Sequence, residues 1–207
     1  MSGCCGGVCD DGKGDPRYRR ILQIAFAVNA VMVVVEVATG LFARSAALQA
    51  DALDFLGDAA NFGIGLLVLG MAPRRRAAAA LLKGVCMATF GLWVLGGTAW
   101  HAWLGVPPKG EVMGAVGFLA LAANGTIAAL LYAYRRGDAN MRSVWVCARN
   151  DAVGNVAVML AASGVMATGS NWPDIAVAAL IGLLNLTGAG GVILRASREM
   201  RLLPATR

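Results

Sequence analysis

The chain has 207 residues, of which 58% are hydrophobic and only 14% are charged, with a formal net charge of +6. Long apolar runs separated by short polar breaks, in a chain this poor in charge, exclude a water-soluble globular domain. The positive balance does not mark a nucleic-acid binder either, because Lys and Arg are distributed as a membrane topology signal.

Residues 1–20 are rich in Gly and Asp and contain Cys4, Cys5 and Cys9. Too short and too polar to pack alone, they are expected to form a flexible cytoplasmic arm. The spacing of the three thiols is not the C-x-x-C of a structural zinc site, so the arm reads as an inert tail, with capture of metal for the pathway as the alternative.

Six apolar runs follow, at 21–42, 47–71, 77–104, 111–134, 143–167 and 175–196. A bilayer core of about 30 Å takes about 20 apolar residues per helical crossing, so every run is long enough to span. The first run is longer than a signal-peptide core and is followed at once by another, which makes it a helix that stays. The expected fold is therefore all-α, an integral membrane bundle of six transmembrane helices over residues 21–196.

Fourteen of the 18 basic residues fall before the first run, in the second and fourth breaks, and from Arg195 at the end of the sixth run onward. By the positive-inside rule both termini are expected to be cytoplasmic, with the protein in the plasma (inner) membrane. Residues 197–207 form a short basic cytoplasmic tail, far below the size of a folded domain. The outer breaks at 43–46, 105–110 and 168–174 are tight, so successive helices are antiparallel neighbours.

In the third run, Lys83 is expected to snorkel to the cytoplasmic surface, and His101 sits with Trp100 and Trp103 in an interface belt. Cys86 and Cys147 lie within spans, and no disulfide framework is expected.

Acids inside spans carry the chemistry. Each ionisable group in a bilayer costs at least about 2.5–3.5 kcal/mol, yet Glu36, Asp51, Asp54, Asp58 and Asp151 all lie inside the runs, away from the run ends where Glu111 and Arg195 sit, against only Lys83 and Arg149. A doubly charged cation together with protons balances such a group of acids; an anion or sugar pathway does not need it. At 100° per residue, Asp51, Asp54, Asp58 and Asn61 share a stripe about 80° wide on the second helix. Asn29, Glu36 and Gly40 share a face of the first helix, and Cys147, Asn150, Asp151 and Gly154 share one of the fifth.

The second and fifth helices run in opposite directions, so Asp54-x-x-x-Asp58 and Cys147-x-x-x-Asp151 form antiparallel i,i+4 pairs at similar depth. Asp54 is expected level with Asp151, and Asp58 level with Cys147. Three carboxylates and a thiolate make a four-ligand box suited to tetrahedral Zn²⁺, and the soft thiolate favours Zn²⁺ or Cd²⁺ over Mn²⁺ or Mg²⁺. Glu36 and Asp51, with Asn29 and Asn150, are expected in supporting or proton-relay roles.

The run Asn29-(x)6-Glu36-(x)3-Gly40-(x)4-Ser45-Ala46-Ala47-Leu48-x-x-Asp51-Ala52-x-Asp54-(x)3-Asp58, with Asn150-Asp151 in the fifth span, resembles the cation diffusion facilitator family. The likeness covers all six spans, and its motif across the first two helices is long and specific. What it implies is a metal/proton antiporter with an intramembrane site of Asp54, Asp58, Cys147 and Asp151. The chain departs from the pattern by having Cys147 where the family usually has His or Asp, and by having His101 as its one histidine, without a His-rich loop. The cytoplasmic C-terminal domain usual in the family is expected to be absent.

The expected function is efflux of a divalent transition-metal cation, Zn²⁺ and also Cd²⁺, in exchange for protons. The alternative is a membrane metal sensor or chaperone that binds metal without translocating it. Zn²⁺ enters as transported substrate and no organic cofactor is expected; metal ions, protons and membrane lipid are the partners, nucleic acid is not, and two copies could pair through transmembrane helices. No H-E-x-x-H or comparable metal-plus-base pair points to an enzyme.

Overall fold

The computed structural model describes residues 16–67, 73–134 and 139–202. Six α-helices run through them: α1 Pro16–Ala43, α2 Ala46–Leu67, α3 Pro73–Leu104, α4 Gly110–Leu131, α5 Ala139–Thr168 and α6 Trp172–Leu202. A 3₁₀ turn at Tyr132–Tyr134 ends α4, and there is no strand among the described residues. Cys4, Cys5 and Cys9 lie outside the described residues. α1 begins at Pro16, before the first expected span, and α6 continues to Leu202.

Local sequence sets where the helices begin and end. Pro16 and Pro73 occupy the first helical position and Pro173 the second, where the missing N–H removes no intrahelical bond. Gly105 (φ 66°) and Gly169 (φ 63°) follow α3 and α5 in the left-handed conformation that stops a helix. Arg44 (φ 56°) takes that conformation after α1, and Ser45 N donates back to Gly40 O at 3.0 Å. Ser45 then caps α2, its Oγ accepting from Leu48 N at 3.1 Å. Two helices are thus joined through a turn of two residues.

Five helices, α1 and α3 to α6, are long and apolar enough to cross a membrane. The exception, α2, has the length of a span at 22 residues but carries Asp51, Asp54 and Asp58. The fold resolves this conflict by placing α2 in the middle: it packs against each of the other five helices. Nearly all of its residues from Ala46 to Ala59 are buried. The most extensive pairings elsewhere are α3 with α6 and α4 with α5.

The pairing of α3 with α6 is close because a glycine permits it. A Cβ at Gly84 would lie 2.8 Å from Ile193 Cγ1 and 3.3 Å from the Ile193 backbone N. Outward faces are apolar, with Val31, Val34, Phe90, Leu92, Leu160 and Leu183 exposed as on a lipid-facing surface. Trp100, Trp103 and Trp172 are exposed at one end of the bundle, where an aromatic belt belongs. Arg17, Arg19, Arg20, Arg74, Arg75, Arg198 and Arg201 gather at the opposite, basic end.

The tryptophan end is fastened by hydrogen bonds between elements. Asp174, in the first turn of α6 and 1% exposed, accepts from Ser45 Oγ (2.6 Å) and Ala47 N (3.0 Å) on one oxygen and from Ala46 N (2.8 Å) on the other. Asn171 Nδ2 donates to His101 O at 2.9 Å, and Lys109 N to Ala43 O at 2.9 Å. An apolar cluster behind these ties joins Ala47, Leu48 and Leu53 of α2 to Met113, Val158, Ala178 and Ile181 of α4 to α6.

Candidate functional site

Burying α2 carries its acids into the protein interior. Asp51 is fully buried and Asp58 is 6% exposed; Asp54 is half-buried. They lie along one helix over about 10 Å of rise.

At the basic side, the carboxyl group of Asp58 lies close to that of Asp151 of α5. Lys83 of α3 completes this group: it is only 7% exposed, its Nζ donates to Asn61 Oδ1, and its charge attracts Asp58. The expected snorkelling of Lys83 is therefore wrong. Ten residues into α3, roughly 15 Å from the helix start, its ammonium finds an amide oxygen and a carboxylate closer than water.

Farther along α2, Glu36 of α1 faces Asp51 and lies near Asp54. Glu36 is fully buried, and neither of its carboxyl oxygens has a hydrogen-bond partner among the described residues; the same holds for Asp51 Oδ1. Two facing carboxyl groups offer only acceptors, so a proton or a cation has to lie between them. The other Asp51 oxygen accepts from Asn155 Nδ2 of α5 at 2.6 Å, and Asn155 Oδ1 accepts from Asn124 Nδ2 of α4 at 3.0 Å. A polar chain thus crosses four helices, from Asn124 through Asn155 and Asp51 to Glu36.

The remaining expected residues divide. Asn29 is buried and uses its Nδ2 on Ala25 O of its own helix at 2.7 Å. Asn150 is half-buried and accepts from Arg149 Nη2 at 3.2 Å, while the Arg149 guanidinium sits over Trp145 at 5.2 Å and is exposed. Cys147 is buried, one turn before Asp151 on α5, and neither it nor the exposed Cys86 is in a disulfide.

Among the described residues no three His, Cys, Asp or Glu side chains are gathered closely enough to hold one ion. Asp58 lies by Asp151, while α5 packs chiefly on α4 and touches α2 over a short stretch. Sequence reasoning missed Asn124, Asn155 and Asp174, which stand outside the stripes; the available signal was an amide or carboxyl in an otherwise apolar setting.

Residues 22–200 match the model of the cation efflux transmembrane domain. The chain is 30% identical over 176 residues to the metal cation efflux system protein CzcD of Cupriavidus metallidurans, a match covering 79% of this chain and 56% of the relative. The cation efflux system protein CzcD of an Alcaligenes species matches with the same identity and coverage. The chain thus spans a little over half the length of the curated relatives it matches.

Proposed function

The chain belongs to the cation efflux family and is a multi-pass membrane protein, and from that premise we propose that it exports a divalent transition-metal cation, Zn²⁺ and also Cd²⁺, in exchange for protons. The observation that carries this reading is the line of buried carboxyl groups along α2, with Asp58 against Asp151 at one end and the donor-less oxygens of Glu36 at the other. Such a line is costly in a bilayer and is compensated when cations and protons move along it. The two relatives, both named as cation efflux system proteins, agree with this direction of transport.

The proposed cargo site is built on the Asp58–Asp151 contact and completed by Asp54 and Cys147, in a conformation in which the α2 and α5 pairs close on the ion. A thiolate and carboxylates suit Zn²⁺ and Cd²⁺. Glu36 and Asp51 are proposed to hold protons, steadied by Asn155, and both termini are proposed to be cytoplasmic, a reading that the basic end of the bundle supports.

The test is metal uptake into vesicles holding the purified protein, across Zn²⁺, Cd²⁺ and Mn²⁺. Asp58→Ala and Asp151→Ala are each expected to reduce Zn²⁺ uptake to the level of empty vesicles, and Cys147→His to lower the preference for Cd²⁺ over Mn²⁺. Tight Zn²⁺ binding by the wild type without any flux would instead establish a sensor or chaperone.

A further inference from the structure

We propose that Lys83 is a tethered cation of the Asp58–Asp151 site: its ammonium compensates the two carboxyl groups while no metal is bound, and an incoming ion must displace it. This rests on the cargo-site reading above and adds what governs entry to that site.

Lys83 is the one base among the buried polar and charged side chains of the described residues. Arg149, the other base of the spans, is exposed and stacked on Trp145, so it leaves the acids to Lys83. The ammonium reaches α2 at the Asn61 amide oxygen, one turn from the Asp58 carboxylate, whose negative charge it offsets. Met87, one turn along α3, packs so closely on α2 that a Cβ at Gly57 would lie 2.8 Å from its Cε, which holds α3 at the distance the lysine spans.

Charge arithmetic makes this placement consequential. Before Asp54 and Cys147 close on the ion, the Asp58–Asp151 pair with one ammonium carries a net −1, and adding a dication while the ammonium stays gives +1 in a medium that screens poorly. The ammonium therefore withdraws as the ion arrives, and Asn61, a turn nearer the basic end, remains as its acceptor. A monovalent ion offers no gain over an ammonium already attached to the chain. Only a doubly charged ion outcompetes it, so Lys83 sets both selectivity against K⁺ and Na⁺ and an affinity low enough for release.

The experiment is Zn²⁺ titration of the purified full chain, with and without high K⁺, alongside vesicle uptake. Lys83→Met is expected to bind Zn²⁺ at least about tenfold more tightly, since a like charge beside the ion is gone. Its uptake should show a lower KM and a lower maximal rate, and K⁺ should compete with Zn²⁺ as it does not in wild type. Lys83→Gln, which keeps a donor for Asn61 without the charge, should behave the same, whereas Lys83→Arg should retain rejection of K⁺. Equal or weaker Zn²⁺ binding in both neutral variants, with K⁺ still rejected, overturns the proposal. If Asp58→Asn binds Zn²⁺ as wild type does, the cargo-site reading itself fails; if that variant loses binding while Lys83→Gln is unaltered, only the tethered cation falls.

Discussion

Glu36 stands out among the described residues: it is fully buried, faces an acid, and neither oxygen receives a hydrogen bond there. A group needed only for packing would be better served by an amide, which brings its own donor to Asp51. Glu36→Gln is therefore expected to leave Zn²⁺ binding near the wild-type level while slowing uptake by roughly ten- to a hundredfold, the usual cost of removing a supporting group. Parallel titration and vesicle assays separate the two. At this scale the sequence was partly legible. Helical spacing put Asp58 and Asp151 on stripes expected to face one another, though it paired Asp58 with Cys147, and the Asp58 carboxyl group lies close to that of Asp151. It did not reveal Lys83, because a lysine near the end of a span turns outward or inward according to what the neighbouring helix presents, and Asn61 and Asp58 lie on another element.

Among the elements, α2 poses the hardest folding problem, since three aspartates disqualify it as an independent apolar span. Its answer is partly local and partly distant. Ser45 caps its first turn from within the sequence, where an S-x-x pattern is readable; Asp174, more than a hundred residues away, supplies the acceptor for Ala46 N and Ala47 N and for the Ser45 hydroxyl. An acid at the start of a helix normally reads as serving its own helix dipole, and that is why its service to α2 was not legible. Hydrogen bonds to a charged group contribute about 1.5–3 kcal/mol each, so Asp174→Ala is expected to cost about 3 kcal/mol or more and to lower the melting temperature in detergent clearly. Asp174→Asn, which keeps an acceptor, should recover part of the loss. Equal melting of Asp174→Ala and wild type would show that α2 is held by packing alone.

For the molecule as a whole, the distribution of charge sets what transport has to do. Glu36, Asp51, Asp54, Asp58 and Asp151 enter the interior from three helices, and Lys83 is the buried base that faces them. A departing dication removes two positive charges from that interior, and one ammonium cannot restore them both. Hydropathy alone announced the membrane bundle, and the positive-inside pattern its two ends, but the consequence for coupling comes only from seeing the acids on one central helix with few internal donors. Protons are the mobile charge small enough to follow the line from Glu36 to Asp58, so metal leaving one side is expected to be matched by protons entering from the other. In sealed vesicles an imposed pH gradient, with the higher proton concentration on the side receiving the metal, should accelerate Zn²⁺ transport. A pH-sensitive dye should report a proton flux opposite in direction that vanishes in Asp58→Ala. Zn²⁺ flux that ignores the gradient and moves no protons would require that another ion compensate the interior, and the acids of α1 and α2 would then be structural.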